Sequence, residues 1–171
     1  PWHYQDKFFQ TGPKLFNSNL KNYFELIDIA ELTRKYFNGI GLNIDDLLAN
    51  SDLYERNGKY QHAYCTAIDR DGDVRVLCNI KPNDKWMSTM LHEFGHAVYD
   101  KYISPSLPWQ LRSYSHIFTT EAIAMLFGRF SQNPEWLHKL EIISDEEKTE
   151  ISERLENTLK LEQLTFSRWV Q

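Results

Sequence analysis

The stretch that decides the fold spans residues 91–98 and reads Leu91-His92-Glu93-Phe94-Gly95-His96-Ala97-Val98. It lies inside a segment, residues 85–102, that the apolar periodicity predicts to be one helix, with Pro82-Asn83-Asp84 ending the preceding strand and offering a cap. Apolar residues make up most of this helix's surface, so we expect the helix to lie in the interior. Because residues four apart share one face of a helix, two imidazoles should project side by side within the protein.

The two histidines and the glutamate between them have the H-E-x-x-H spacing of a zinc-binding helix. His92 and His96 can both reach one Zn²⁺, with bonds of ~2.0–2.1 Å. Glu93 projects beside them, where its carboxylate can accept a proton from a zinc-bound water whose pKa the metal lowers towards ~7. We therefore predict one zinc ion per chain, with His92 and His96 as ligands and Glu93 as the general base.

A catalytic zinc site needs a third protein ligand and an open position. A third histidine would require Gly at position 99 and His at position 102, where the chain has Tyr99 and Tyr102. Glu121 is the strongest candidate, because it lies in an apolar stretch where a carboxylate is costly to bury unless a cation compensates. The alternatives are Asp100 as the ligand and Glu121 as a residue favoured by the helix dipole.

The types of residue change over residues 62–80, and the new pattern predicts a β-hairpin. With Asp71-Gly72 as a two-residue turn, one face of the hairpin would be buried and its two cysteines would face each other. We expect these cysteines to be buried free thiols, with a disulfide as the less favoured alternative. The predicted pairs are Cys65 with Cys78, Ala67 with Val76, and Asp69 with Val74.

The rest of the chain is predicted to be mainly helical. Apolar spacing favours helices over residues 20–37 and 115–131, and a short helix after Asn43. Ser144-Asp145-Glu146-Glu147 has the pattern of a capping box and predicts the start of a last, amphipathic helix.

Composition bounds the class of protein. The 171 residues, 42% of them hydrophobic, suit a single domain over residues 1–171. A net charge of −5 argues against nucleic acid as the partner. The chain contains no run of eighteen apolar residues, so no membrane span is predicted. Two cysteines are too few for a disulfide framework, which favours a reducing, cytoplasmic location.

This chain resembles the gluzincin oligopeptidases, the group of thimet oligopeptidase and oligoendopeptidase F and, more distantly, angiotensin-converting enzyme. The resemblance rests on Gly95 inside the motif, on the 24 residues between the motif and Glu121, and on two stretches, His92-Glu93-Phe94-Gly95-His96-Ala97 and Thr120-Glu121-Ala122. It implies a mainly α (α+β) fold, a zincin-like helical catalytic core with one short β-hairpin. It also implies that Glu121 completes the zinc site and that Glu93 later returns the proton.

The resemblance suggests how a peptide would bind. His62, Ala63 and Tyr64 correspond to the edge hairpin that lines the substrate cleft, where a peptide would add as an extra strand. The Tyr and His residues that stabilise the oxyanion in that group lie well downstream of the third ligand, and this chain has no Tyr after Glu121. Tyr114 and His116 are the candidates to replace them.

Two functions follow as hypotheses. The first is a zinc-dependent peptidase acting on short peptides, and the second is a catalytically incompetent zincin-like domain that binds metal or a partner. Members of the group are several times longer than this chain, and apolar residues continue to its end at Leu164, Phe166 and Trp169. We therefore expect a fragment of a longer peptidase, a missing flanking domain, or a subunit that self-associates.

Overall fold

A computed structural model describes residues 23–170, without the side chains of residue 158 and residues 161–170. Helices dominate, and the two strands form one antiparallel hairpin, which confirms the predicted fold class. None of the helices described there combines the length and the hydropathy that a membrane span requires. The elements are α1 (Ile29–Gly39), α2 (Asp45–Asn50), β1 (Tyr64–Ala67), β2 (Val74–Leu77), α3 (Asp84–Lys101), α4 (Ile117–Arg129), α5 (Pro134–Lys139) and α6 (Asp145–Val170), with short 3₁₀ turns at Trp109–Leu111 and Phe130–Gln132.

Local capping determines where the predicted helices begin. The Asn83 side chain accepts a hydrogen bond of 3.0 Å from the Trp86 backbone N–H at the start of α3. At the start of α6, Ser144 and Glu147 form the predicted capping box, each side chain accepting from the other's backbone N–H at 3.2 and 3.0 Å. Both predictions from the sequence are confirmed.

The helix predicted over residues 20–37 is absent over residues 23–28. Helix α1 begins only at Ile29, because the Asp28 side chain caps it by accepting from the Glu31 backbone N–H at 3.0 Å. Residues 23–27 form turns instead, and residues 20–22 lie outside the described part. Likewise α4 is shorter than the predicted 115–131, since His116 caps it and Phe130–Gln132 is a 3₁₀ turn.

The hairpin has a different register from the predicted one. Cys65 pairs with Val76 and Ala67 with Val74, a shift of two residues. The loop is longer than two residues because the Asp69 side chain accepts from the backbone N–H groups of residues 71 and 73, and residues 70 and 72 adopt positive φ. A shift of two preserves the face, so the predicted inward side is still the buried one, and both cysteines are free.

A buried lysine holds the chain before the hairpin against β2. The Lys59 ammonium donates to the Asp52 carboxylate at 3.0 Å, and to the backbone carbonyls of Asp52, Tyr54 and Cys78. The segment at Asp52 also pairs with the outer edge of β2 through a parallel bridge to Leu77. One edge of the hairpin is thereby covered, while β1 has no strand partner on its other edge among residues 23–170.

Helix α3 lies at the centre of the core. It contacts α1, both strands and α4, and its most extensive packing is against α4. Aromatic rings fill the space between α1 and the α3–α4 pair, with Phe37 and Phe127 4.9 Å apart between ring centroids. The buried apolar side chains of α3 are Met87, Met90, Leu91, Phe94, Ala97 and Val98. The histidine face of α3 is therefore turned towards α4.

Candidate metal centre

Two glycines allow α3 and α4 to approach closely. A Cβ atom on Gly95 would lie 2.9 Å from the Cα of Ala124 and 3.1 Å from Cδ2 of Phe127. A Cβ on Gly128 would lie 3.4 Å from the Cβ of His92. Since carbon atoms in contact are normally ~3.5–4.0 Å apart, glycine at both positions lets the two helices pack with little separation. This approach brings α4 within reach of the two imidazoles.

Glu121 lies opposite both histidines. Its Oε1 is 3.5 Å from Nε2 of His92, and its Oε2 is 3.3 Å from Nε2 of His96. One ligand atom from each of the three residues lies within 4.8 Å of the others. Two imidazole nitrogens and one carboxylate oxygen form a donor set that suits zinc. The exposed fractions of the side chains are 27% for His92, 15% for His96 and 43% for Glu121, so the cluster is open on one side.

Thr120 orients one of the two rings. Its hydroxyl lies 2.8 Å from Nδ1 of His96, and the residue is only 2% exposed. With Nδ1 as the donor, the Nε2 lone pair of His96 points towards Glu121, the arrangement found around metal-ligating histidines. Sequence reasoning missed Thr120, although a polar residue directly before Glu121 in an apolar helix is a signal that could have identified it.

The carboxyl group of Glu93 is buried beside the cluster. Burial raises its pKa, and the negative charge of Glu121 raises it further, to about 7. Burial also lowers the pKa of His96, with a smaller contribution from His92. A carboxyl group with a pKa near neutrality can both accept and donate a proton under ordinary conditions. A cation bound nearby would lower the Glu93 pKa again.

Asp100, the alternative ligand, lies outside the cluster. It is partly buried on α3, and burial raises its pKa. The group of residues that could hold a metal consists of His92, His96 and Glu121 in the part of the chain that is described. The structure thus brings together the three predicted ligands, and their binding of zinc remains a prediction.

The predicted substrate-binding residues lie at two places. His62, Ala63 and Tyr64 lead into and begin β1; His62 is exposed, Tyr64 is 45% exposed and Ala63 packs against the core. The described chain shows no hydrogen bond or ion pair that links these three residues to the metal cluster. Their role in substrate binding stays a prediction, supported by the free edge of β1.

Tyr114 and His116 lie just before α4. Tyr114 is 37% exposed, and His116 is the N-cap residue of α4, its Nδ1 accepting a hydrogen bond of 3.0 Å from the Phe118 backbone N–H. That bond leaves only Nε2 of His116 for a substrate. The role of both residues at an oxyanion stays a prediction.

A known protein family matches the part of the chain that carries this cluster. The family model of Peptidase family M3 matches residues 49–168, a range that includes the hairpin, α3 and α4. Over 111 residues the chain is 29% identical to Oligopeptidase PepF of Bacillus subtilis (strain 168), a match that covers 65% of this chain and 16% of that protein. The chain thus matches only a small part of that relative's length. Because the family match covers more than half of its residues, the chain belongs to peptidase family M3.

Proposed function

We propose that this chain carries the catalytic core of a zinc-dependent peptidase that hydrolyses short peptides, as a gluzincin. His92, His96 and Glu121 are the zinc ligands, and Glu93 is the general base. The observation that carries the proposal is the Glu121 carboxylate, which reaches both imidazoles from a separate helix, at 3.5 and 3.3 Å. Membership of a peptidase family supports the reaction class.

Each residue of the site has its own role in the proposed reaction. A bound zinc ion supplies a Lewis acid that activates water and polarises the peptide carbonyl. Glu93 accepts the proton of the attacking water and returns it to the leaving amine, a task that suits a buried carboxyl group beside the ligands. Thr120 keeps the His96 ring in its ligating orientation.

The free edge of β1 supports the binding of an extended peptide. Tyr64 and Thr66 are exposed, and the other side of the hairpin is covered by the bridge between Asp52 and Leu77. A peptide added to this edge would be held by backbone hydrogen bonds, which tolerate many sequences. His62, Ala63 and Tyr64 are the residues that would contact it.

A second candidate function is a metal-binding domain without peptidase activity of its own. It is favoured by apolar side chains of α4 that stay exposed around Glu121, among them Phe118 at 73% and Met125 at 50%. Such a face suits contact with additional protein. The chain would then need a partner before it could hydrolyse peptides.

Metal analysis and a peptide assay test the proposal. Purified protein reconstituted with zinc should hold one zinc per chain, and His92→Ala or His96→Ala should hold none. The wild type should cleave a quenched peptide library, while Glu93→Gln keeps the zinc and loses ~10²–10⁴-fold in rate. Zinc binding without hydrolysis would support the second candidate. Failure to bind zinc would contradict both.

A further inference from the structure

A cavity opens directly beside the metal cluster, in the groove between α3 and α4. Its volume is about 200 Å³, and it runs from the first histidine of the motif towards the C-terminal end of α4. That volume is below the ~300–1,000 Å³ of a typical small-molecule site, and it suits one amino-acid side chain or one chain end. It is lined by Ser88, His92, Met125, Gly128, Arg129 and Gln132.

Two of the lining residues, Ser88 and Gly128, already hydrogen-bond to each other. The Ser88 hydroxyl donates to the Gly128 carbonyl at 3.2 Å, and the Ser131 hydroxyl donates to the same carbonyl at 2.8 Å. Gly128 carries no side chain that would fill the space, and a Cβ there would already contact Ser88 and His92. Recognition of a ligand therefore falls on the remaining lining residues.

Those remaining residues differ in character from one end of the cavity to the other. Met125, one turn after Glu121, gives an apolar wall close to the metal cluster. Arg129 and Gln132 lie at the far end, and Arg129 is the lining residue with a permanent charge. Arg129 makes a contact within the chain as well, but a guanidinium has five N–H donors and can serve a second acceptor.

We propose that this cavity is a substrate subsite that accepts a carboxylate, recognised by Arg129 with help from Gln132. The inference rests on the proposed peptidase function, because the cavity begins at His92, a proposed zinc ligand. A guanidinium and an amide form a donor pair suited to a carboxylate. The carboxylate is either an acidic side chain of the peptide or its C-terminal group. Arg129 acts as a specificity residue and takes no part in the reaction itself.

The test measures binding of fluorescent peptides to the zinc-loaded Glu93→Gln protein, so that it does not depend on turnover. One series places Glu or Gln at each position in turn, and a second compares a C-terminal acid with its amide. The wild-type cavity should favour the carboxylate member of one pair about threefold to tenfold, the range of a partly exposed charged contact. Arg129→Ala should remove that preference, and Arg129→Glu should reverse it in favour of the neutral member of the same pair.

Lys139→Ala is the matched control, since Lys139 is also a cation in the last turn of a helix but does not line the cavity. It should retain the full preference. A preference in the first series identifies an acidic side chain, and one in the second identifies the peptide's C-terminus. Equal binding of both members of every pair by the Glu93→Gln protein, or an unchanged preference once Arg129→Ala is added to it, would overturn the inference.

Hydrolysis by the protein with an intact Glu93 separates this inference from the proposed function. Zinc-dependent cleavage of neutral peptides without any carboxylate preference would leave the function standing and remove the subsite. An Arg129-dependent preference in binding without any cleavage would support the subsite and contradict the proposed peptidase function.

Discussion

Gly95→Ala is the substitution that tests most directly how the metal centre is built. The added Cβ would lie 2.9 Å from the backbone Cα of Ala124, which cannot rotate away as a side chain could. Restoring an ordinary contact of ~3.5 Å or more requires α3 and α4 to separate by about 0.6 Å at this point. Overpacking of this kind costs ~1–3 kcal/mol, and the better helix propensity of Ala offsets ~1 kcal/mol of it.

We therefore expect a net loss of up to about 2 kcal/mol in the free energy of unfolding, which lowers Tm by at most ~8 °C for a chain of this size. The same displacement moves Glu121 away from the imidazoles by more than the ~0.2 Å that ligand distances tolerate. Zinc affinity should fall at least about tenfold. Thermal unfolding of the metal-free protein and a competitive zinc titration measure the two effects separately.

Gly39→Ala provides the control, because Gly39 also lies in a helix but a Cβ there would have nothing within 4 Å. It should keep the wild-type zinc affinity and either keep or raise Tm. If Gly95→Ala behaved like Gly39→Ala in both assays, the close contact between α3 and α4 would not be what positions Glu121.

Three further substitutions probe the ligands and their support. Glu121→Ala should abolish stoichiometric zinc binding while changing stability by no more than ~1 kcal/mol. Glu121→Asp should lower zinc affinity more than it lowers folding stability. A zinc titration of Glu121→Ala that matched wild type would refute the ligand assignment. Thr120→Val keeps the side-chain shape but removes the hydrogen-bond partner of His96 Nδ1, so zinc affinity should fall ~10–100-fold. Thr120→Ser should restore the affinity. An unchanged zinc affinity in Thr120→Val would exclude the orienting role. Lys59→Met leaves buried carbonyls without their donor and should lower the urea unfolding free energy by ~2–3 kcal/mol, whereas Lys35→Met on the surface should change it by less than ~0.5 kcal/mol.

Patterns within one segment could be interpreted from the sequence because their causes are local. The helix around the motif follows from apolar periodicity, and its start follows from Asn83, whose side chain can satisfy an exposed backbone N–H. The capping box at Ser144 works in the same way. The buried face of the hairpin was also predictable, because residues two apart share one side of a strand whatever the register.

The wrong predictions lie where a polar side chain hydrogen-bonds to the nearby backbone. Asp69 uses its side chain to hold a four-residue loop, which displaces the register by two from the one a simple Asp71-Gly72 turn would give. Asp28 caps α1, so the helix begins only at Ile29, although the apolar spacing continues before it. In both places a short polar side chain competes with the regular backbone pattern.

The sequence by itself determined that two histidines and a glutamate share one helix, since spacing along a helix is a property of the local backbone. Only the tertiary structure decided what faces them. The close approach at Gly95 brings Glu121 opposite both imidazoles, Thr120 beside His96, and Arg129 to the far end of the same groove. These distances depend on how two helices far apart in the chain pack against each other, and packing is set by side-chain volume across the whole contact and not by spacing along either segment.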